Sequence, residues 1–398
     1  MIHTSDFLII GGGVFGLSAA LSLRQRGHGV TLLNPDALPH PLAASTDISK
    51  IVRAEYGTDQ LYFDMAMAAI EGWEQWNQLL ERPVFHKTGL LMLMQKDQQA
   101  PEQTFERESV AKLAASGIRP CWLTSTDIRT HYPAVHTDFF PHAHYNAQAG
   151  YVESGAAIAL LAAYAKKQGV RIREQQTALK LEATQGLLTK VYTREGDTYS
   201  AGQTIVAAGA NTPWLVPGLK PYMKATGHPV FHFRPIDTRS FKSEKLPVFT
   251  ADISNTGWYG FPYHPAEGVV KIARHTDGLP LHPDQDDRRV TDSEVKQCRQ
   301  FLAKALPTLA NAPLVHTRRC LYTDTLDGHF WIDQHPEISG LSVASGGSGH
   351  GMKMGPVLGP LIADMAEGAA HPWLARFRWR DLKAGTQQEE AARFKRKA

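Results

Sequence analysis

The chain has 398 residues, 43% hydrophobic and 20% charged, a balance that suits a globular protein able to bury a large core and still wall off a pocket. A net charge of +3 implies no strong pull toward nucleic acid. Three scattered cysteines, Cys121, Cys298 and Cys320, exclude a disulfide scaffold and zinc-finger spacing.

Phe7 to Ile10 is a short apolar run of the kind a buried parallel strand shows. A glycine cluster follows. Then Leu17, Ala20, Leu21 and Leu23 give a helical apolar face ended by Gly27, and Val30 to Leu33 reads as a second strand. Within GGGVFG, Gly11, Gly13 and Gly16 form GxGxxG between predicted strand and helix. Gly11 permits the tight turn, Gly13 admits a pyrophosphate, and Gly16 lets helix and strand pack closely. The N–H groups at the helix start, around Val14 and Phe15, face phosphate oxygens in such a unit. A dinucleotide site is expected; the alternative is a tight structural turn. The acid that ends the second strand in nicotinamide enzymes is here Asn34, with Asp36 two residues on. A neutral acceptor grips a ribose more weakly, which weighs against a freely exchanging nicotinamide cofactor.

Further along, residues 59–80 read as a helix with Trp73 and Trp76 packed on neighbours, and 86–146 as short strands and loops. An Ala-rich helix is expected from Gly155 to Lys167, and strands at Val170 to Arg173 and at Thr204 to Ala210, the last entering a glycine turn. Residues 217–317 look strand-rich, like a separate sheet. LSVASGGSGHGMKMGPVLG reads as strand, glycine loop, helix. Nucleotide-type signals at the start, middle and end predict two interleaved domains, one of 1–85, 147–217 and 313–398 and one of 86–146 and 218–312. The basic stretches RFRWRDLK and RFKRKA read as a solvated surface helix, with an RNA contact as the lesser reading. No apolar stretch reaches the roughly 18 residues of a membrane span. The apolar opening is broken by glycines and preceded by MIHTSD, which lacks a basic residue, unlike a secretory signal. The expectation is a cytoplasmic protein without membrane or nucleic-acid partners, a monomer or small homo-oligomer.

Four blocks carry a family resemblance that runs nearly end to end. CLYTDTLDGHFWIDQHP (320–336), GGSGHGMKM (346–354), STDISKIVRAEYG (45–57) and WYGFPYHPAEGVVKIARH (258–275) resemble the sarcosine oxidase and amadoriase branch of the FAD-dependent amine oxidoreductases, relatives of D-amino-acid oxidase. The resemblance implies an α/β and α+β fold, with an FAD-binding Rossmann-like domain of glutathione-reductase type (1–85, 147–217 and 313–398) interleaved with a mixed-sheet substrate domain (86–146 and 218–312). It implies FAD bonded covalently through Cys320, with Arg318 and Arg319 favouring the thiolate. It matches Arg53 and Lys353 to residues that hold the substrate carboxylate, and Lys271 to the lysine that activates oxygen. Tyr259, His275, Tyr322 and His350 match further pocket residues. Ser45, Ser49, Lys50, Ala178, Ala208, Gly209, Gly349 and Gly351 match flavin-lining positions. No metal is implied.

The implied reaction is oxidation of the C–N bond of a small secondary amino acid, with oxygen reduced to hydrogen peroxide. Lys50 is arginine in sarcosine oxidases and lysine in amadoriases, so a fructosyl amino acid stays open as substrate. Asn211 replaces a tryptophan and Met352 a phenylalanine of the family, which reshapes the pocket. A nicotinamide-dependent dehydrogenase leaves the blocks around Cys320 and Gly346 unexplained. An RNA-associated flavoprotein would use the basic tail, and a flavin-bound protein without turnover is opposed by intact Lys271, Arg53 and Lys353.

Overall fold

The computed structural model describes residues 2–95, 104–383, 386 and 391–394. β1 (Ile2–Ile10), α1 (Val14–Gln25) and β2 (Val30–Leu33) open the fold. β1 starts earlier than its apolar run because its first residues alternate between exposed and half-buried while pairing with Thr198–Ala201. Its second half is buried on both faces. Phe7 and Ile9 join a core under the helices, and Leu8 and Ile10 join a second core with Val206 and Trp331. That double burial is why the run reads as continuous hydrophobicity.

β1 lies between β2 and strand Thr198–Val206, and strands Leu341–Ser345 and Arg171–Arg173 continue this parallel core. Three distant stretches of chain therefore build one eight-stranded sheet. α1 packs against the helix Gly355–Glu367 so closely that a methyl on Gly359 would stand 2.6 Å from the carbonyl oxygen of Ser18.

A second, nine-stranded mixed sheet is organised by strand Met223–Phe233. On one side it pairs with Leu314–Thr325 from Met223↔Thr325 to Phe233↔Leu314, and on the other with Val269–Arg274. The first partner carries Cys320 and Tyr322, the second Lys271. A small sheet of β3 (Lys50–Val52), Gly150–Val152 and Phe85–His86 leads into α2 (Gln60–Leu79). Trp73 of α2 is fully buried, with Trp76 edge-on to it.

Besides four-residue helices at Thr212–Leu215, Ile253–Thr256 and Pro307–Ala310, three longer helices were not expected. Phe105–Ala115 and Ser125–His131 lie within 86–146, and Asp292–Ala305 within the strand-rich region. Each starts with a threonine cap, and two have full capping boxes, Thr124 with Asp127 and Thr291 with Glu294. Over the described residues 376–383 the basic stretch is not a solvated helix. Leu374–Phe377 is a short 3-10 turn with Phe377 buried, Arg376 pairs with Asp59, and Arg380 makes a two-pronged contact with Asp327. Residues 395–398 of the basic run lie outside the described residues.

A methyl on Gly16 would stand 1.8 Å from the carbonyl oxygen of Gly11, so Gly16→Ala must push α1 off β1. We expect a loss of about 3 kcal/mol by urea unfolding. Gly218→Ala, whose methyl meets nothing within 4 Å, is expected to stay within about 0.5 kcal/mol of wild type.

Candidate active site

A cavity of about 970 Å³ runs between the glycine turn and the second sheet. At its near end Gly11 has φ +112°, and a methyl there would meet the carbonyl oxygen of Ala207 at 2.4 Å. Gly13 is open apart from Ser45, whose hydroxyl accepts from Val14 N–H at 3.0 Å and so caps α1. Asn34 Oδ1 accepts from Gly12 N–H at 3.0 Å, and its amide donates to the Asp36 carbonyl. Asn34 thus braces the glycine turn as well as lining the cavity. Phe15, Ala178, Ala208 and Gly209 continue the wall.

At the far end Arg53, which follows β3, and Lys353, from the turn Met352–Met354, both line the cavity. They converge on Tyr56. The Arg53 guanidinium lies 5.1 Å and the Lys353 ammonium 5.0 Å from its ring centre, and Lys353 Nζ donates to its hydroxyl at 3.1 Å. The same hydroxyl lies 3.1 Å from His350 Nδ1. Trp73 fixes the turn by donating to the Lys353 carbonyl at 2.8 Å. Tyr56 was not singled out from the sequence, although it sits in the AEYG that ends the Arg53 block. Tyr259, His275, Tyr322, Gly349 and Gly351 complete this end, with Met352 in the wall and Asn211 farther along, 3.5 Å from Asp284.

Cys320, Lys271 and Ser49 stand behind the wall, all buried, and Gly16 serves packing. Cys320 clusters with Tyr322 and Tyr259, and Lys50, which lines the cavity, brings its ammonium to 3.6 Å from Cys320 Sγ. The cation beside the sulfur is therefore Lys50. Arg319 projects to the opposite face of its strand and grips Glu294, while Arg318 donates to the carbonyls of Ala43 and Thr46.

Lys271 is in a central strand and is not a snorkelling edge residue. Its ammonium donates to Asp47 Oδ2 at 2.7 Å and to the Ser49 carbonyl, and lies 4.6 Å from the Phe261 ring centre. The same Asp47 oxygen takes Lys50 Nζ at 3.3 Å. Asp47 escaped the sequence reading because a lone aspartate in a polar loop carries no motif signal.

Burial would raise the Asp47 carboxyl, but Lys271, Lys50 and Arg318 outweigh it and hold it well below the usual range. Burial, with Lys50 adding repulsion, pushes Lys271 down to about 8 against the pull of Asp47. Burial raises Tyr259 to about 12 and Tyr322 well above its ordinary value, so both remain hydrogen-bond donors at neutral pH. Burial drives His228, stacked on Tyr322 at 3.9 Å, well down, leaving it neutral.

The profile of the family described as "FAD dependent oxidoreductase" matches residues 6–365. The chain belongs to this family. L-saccharopine oxidase of Schizosaccharomyces pombe is 28% identical, with 94% of this chain and 93% of that protein covered. Monomeric sarcosine oxidase of Streptomyces avermitilis is 28% identical, covering 94% and 96%. Among solved structures, Amadoriase I from Aspergillus fumigatus, a fructosyl amine:oxygen oxidoreductase, has a TM-score of 0.80 at 26% identity, covering 98% of this chain and 93% of that one.

The site suits the family's cofactor. The cradle at Gly11 and Gly13 is one that side chains would fill, and the cavity is at the upper end of the roughly 300–1,000 Å³ usual for ligand pockets. The residues that would hold FAD are those of the glycine turn, Ser45, Lys50 and the loop Gly346–Gly351.

The ion pair makes a testable demand. Removing one partner of a buried pair strands the other, so Asp47→Asn should cost about 3 kcal/mol at pH 7. Lys271 binds its proton less tightly in the folded chain than in the unfolded one, so its contribution is complete above its unfolded value and lost as pH falls through about 8. The cost of Asp47→Asn should therefore shrink above pH 8, and Asp47→Asn combined with Lys271→Met should recover much of it. Urea unfolding of both variants at pH 7 and pH 9 checks this; a cost independent of pH and of Lys271 would contradict it.

Proposed function

We propose that this FAD-dependent enzyme oxidises the C–N bond of a secondary amino acid and uses oxygen as acceptor. The observation that carries the reading is the convergence of two cavity-lining cations, Arg53 and Lys353, 300 residues apart in sequence, on Tyr56. A guanidinium offers a two-pronged grip on a carboxylate and an ammonium adds a point charge. Relatives named for the oxidation of L-saccharopine and sarcosine support the substrate class.

In this reading the substrate carboxylate docks between Arg53 and Lys353. Their charge lowers the pKa of the neighbouring substrate amine, favouring the neutral form that releases a hydride equivalent. Tyr259 and Tyr322 stay protonated and orient polar atoms by donating hydrogen bonds, with His275 and His350 beside them. When bound, FAD supplies the two-electron acceptor chemistry and its return to oxygen, giving hydrogen peroxide. The substrate-derived imine takes up water and splits to a carbonyl compound and a shorter amine. Lys271 offers a fixed cation to the negative charge that develops on oxygen, and its pairing with Asp47 supports that role by keeping an ammonium where burial disfavours one. We assign Cys320 as the covalent attachment point, supported by its place beside Lys50, Tyr259 and Tyr322.

We further propose that the two large sheets mark the two domains, with 1–85, 147–217 and most of 313–398 for FAD and 86–146 and 218–312 for substrate, strand Leu314–Thr325 adding to the second sheet. A cytoplasmic setting is supported by three cysteines outside any disulfide. No helix among the described residues is long and apolar enough to cross a membrane. The tail arginines Arg376, Arg380 and Arg393 pair with acids, which weighs against an RNA contact. A fructosyl amino acid is the second substrate reading, favoured by Lys50 and the likeness to Amadoriase I.

The test is peroxide release across a panel: sarcosine, longer N-alkyl amino acids, a cyclic imino acid, a fructosyl amino acid, and glycine as the primary amine. We expect turnover of at least one secondary amine and little of glycine. No peroxide from any secondary amine would defeat the reading. Lys271→Met should slow reoxidation by oxygen at least about a hundredfold, the scale of losing one preorganised electrostatic group. Acid precipitation should leave yellow in the pellet of wild type and in the supernatant of Cys320→Ala; flavin free in both would reject the covalent link.

A further inference from the structure

The segment Ala391–Phe394 turns back into the molecule and meets four parts of the site at once. Arg393 is buried; its Nη1 and Nη2 each donate to one carboxylate oxygen of Asp324 at 2.8 Å, and Nη2 also donates to the Ser348 carbonyl at 2.9 Å. Its guanidinium carbon lies 5.9 Å from the centre of the Tyr322 ring. Phe394 N–H donates to the His275 carbonyl at 3.2 Å. Ala392, almost fully buried, packs in the apolar cluster that includes Ile253 and Phe261, both of which line the cavity.

The partners of Arg393 matter more than their number. Asp324 lies on the strand of Cys320 and Tyr322, and its second donor is the Thr226 hydroxyl. That hydroxyl lies 3.1 Å from His228 Nε2, and His228 stacks on Tyr322. Ser348 lies in the loop that carries His350 and leads to Lys353. It has φ +43°, a left-handed conformation that a non-glycine residue holds only where its surroundings impose it. Its backbone is held on both sides, Ser348 N–H donating to the Thr323 carbonyl at 3.0 Å and the Ser348 carbonyl accepting from Arg393, while its hydroxyl accepts from Thr325 N–H at 3.3 Å and donates to the Gly346 carbonyl at 3.2 Å. The guanidinium therefore adds a charged tie to the direct contacts between the Tyr322 strand and the loop of His350 and Lys353. A charge-permanent, forked donor suits a site with a carboxylate on one side and a carbonyl on the other.

We infer that Arg393 is a positioning residue of the substrate end, and that Ala391–Phe394 is an internal strut without which Lys353 and His350 are misplaced relative to Tyr322. The inference rests on the proposed docking of a substrate carboxylate at Arg53 and Lys353, and it adds a residue that touches neither substrate nor flavin.

The test uses the flavin-loaded holoenzyme with two variants, Arg393→Lys and a chain ending after residue 390. Two readouts are taken: benzoate as a carboxylate probe, titrated by the change in visible flavin absorption, and amide hydrogen exchange over residues 346–354. We expect benzoate binding and substrate KM to weaken at least about tenfold in Arg393→Lys, with kcat changed far less, because small displacements of a gripping group are costly. A lysine keeps the charge but cannot reach Asp324 in two-pronged fashion and the Ser348 carbonyl together. Exchange in the loop should quicken in both variants while FAD content stays that of wild type. Unchanged benzoate affinity, KM and loop exchange in Arg393→Lys would overturn the inference, as would equal falls in FAD content and kcat with KM intact. If wild type itself neither binds benzoate nor oxidises a secondary amine, the substrate reading fails instead, and loop exchange alone decides for or against the strut.

Discussion

The arrangement depends on how one polar loop, residues 43–50, is held between two sheets. Asp47 is its centre. The backbone carbonyl of Asp47 accepts from Gly155 N–H at 2.8 Å and from the Ser154 hydroxyl, tying the loop to the start of helix Ser154–Lys167. Its carboxylate takes Lys271 from the second sheet and Lys50 from β3. Ser45 caps α1, and Arg318 reaches the carbonyls of Ala43 and Thr46 from the strand that carries Cys320. The loop thus joins the glycine-turn half to the strand of Cys320 and to the strand of Lys271.

Such a node is a poor device for stability alone. Burying three charges incurs desolvation costs that their attraction barely offsets, and well-packed apolar residues often do as well. What an ionic node does better is fix position and sign. Two ammonium groups on one carboxylate leave the cluster net positive beside the cavity, with the charges held by hydrogen bonds and not by solvent. The pair Arg393–Asp324 is built similarly at the other end of the Tyr322 strand, again with both side chains almost fully buried.

The dinucleotide half was legible because its physics is local. β1, the glycine turn and α1 follow from a short apolar run, three glycines and a 3.6-residue periodicity, all within 25 residues of one another. The elements carrying Lys271 and Lys353 were readable from pattern, but the two lysines were singled out only through resemblance of whole blocks, since nothing in VVKIAR by itself separates a paired interior lysine from a surface one. Tyr56, Asp47 and Arg393 were missed. Each gains its meaning from a partner more than 200 or close to 70 residues away, as in Lys271–Asp47 and Arg393–Asp324, and such pairings leave no spacing to read. The three longer missed helices differ: their Thr caps, and two capping boxes, were present in the sequence, but proline and aromatic content drew the reading of 217–317 toward strands and 86–146 was read as short strands and loops.

The residue at position 50 shows how one side chain can serve two neighbours. A lysine ammonium is a compact point charge that can divide itself between the Asp47 carboxylate and the Cys320 sulfur, as its 3.3 Å and 3.6 Å separations do. A guanidinium there would favour a two-pronged grip on Asp47 and present a flat, weakly hydrated face to the sulfur. The lysine at this position therefore concentrates positive charge on the thiol side of the wall, where a thiolate is the reactive form. Met352 and Asn211 line the cavity without adding charge to it. In the proposed reading, the cations assigned to the carboxylate, the sulfur and oxygen belong to the scaffold, and the choice of amine falls to the uncharged residues lining the cavity between Lys50, Arg53 and Lys353.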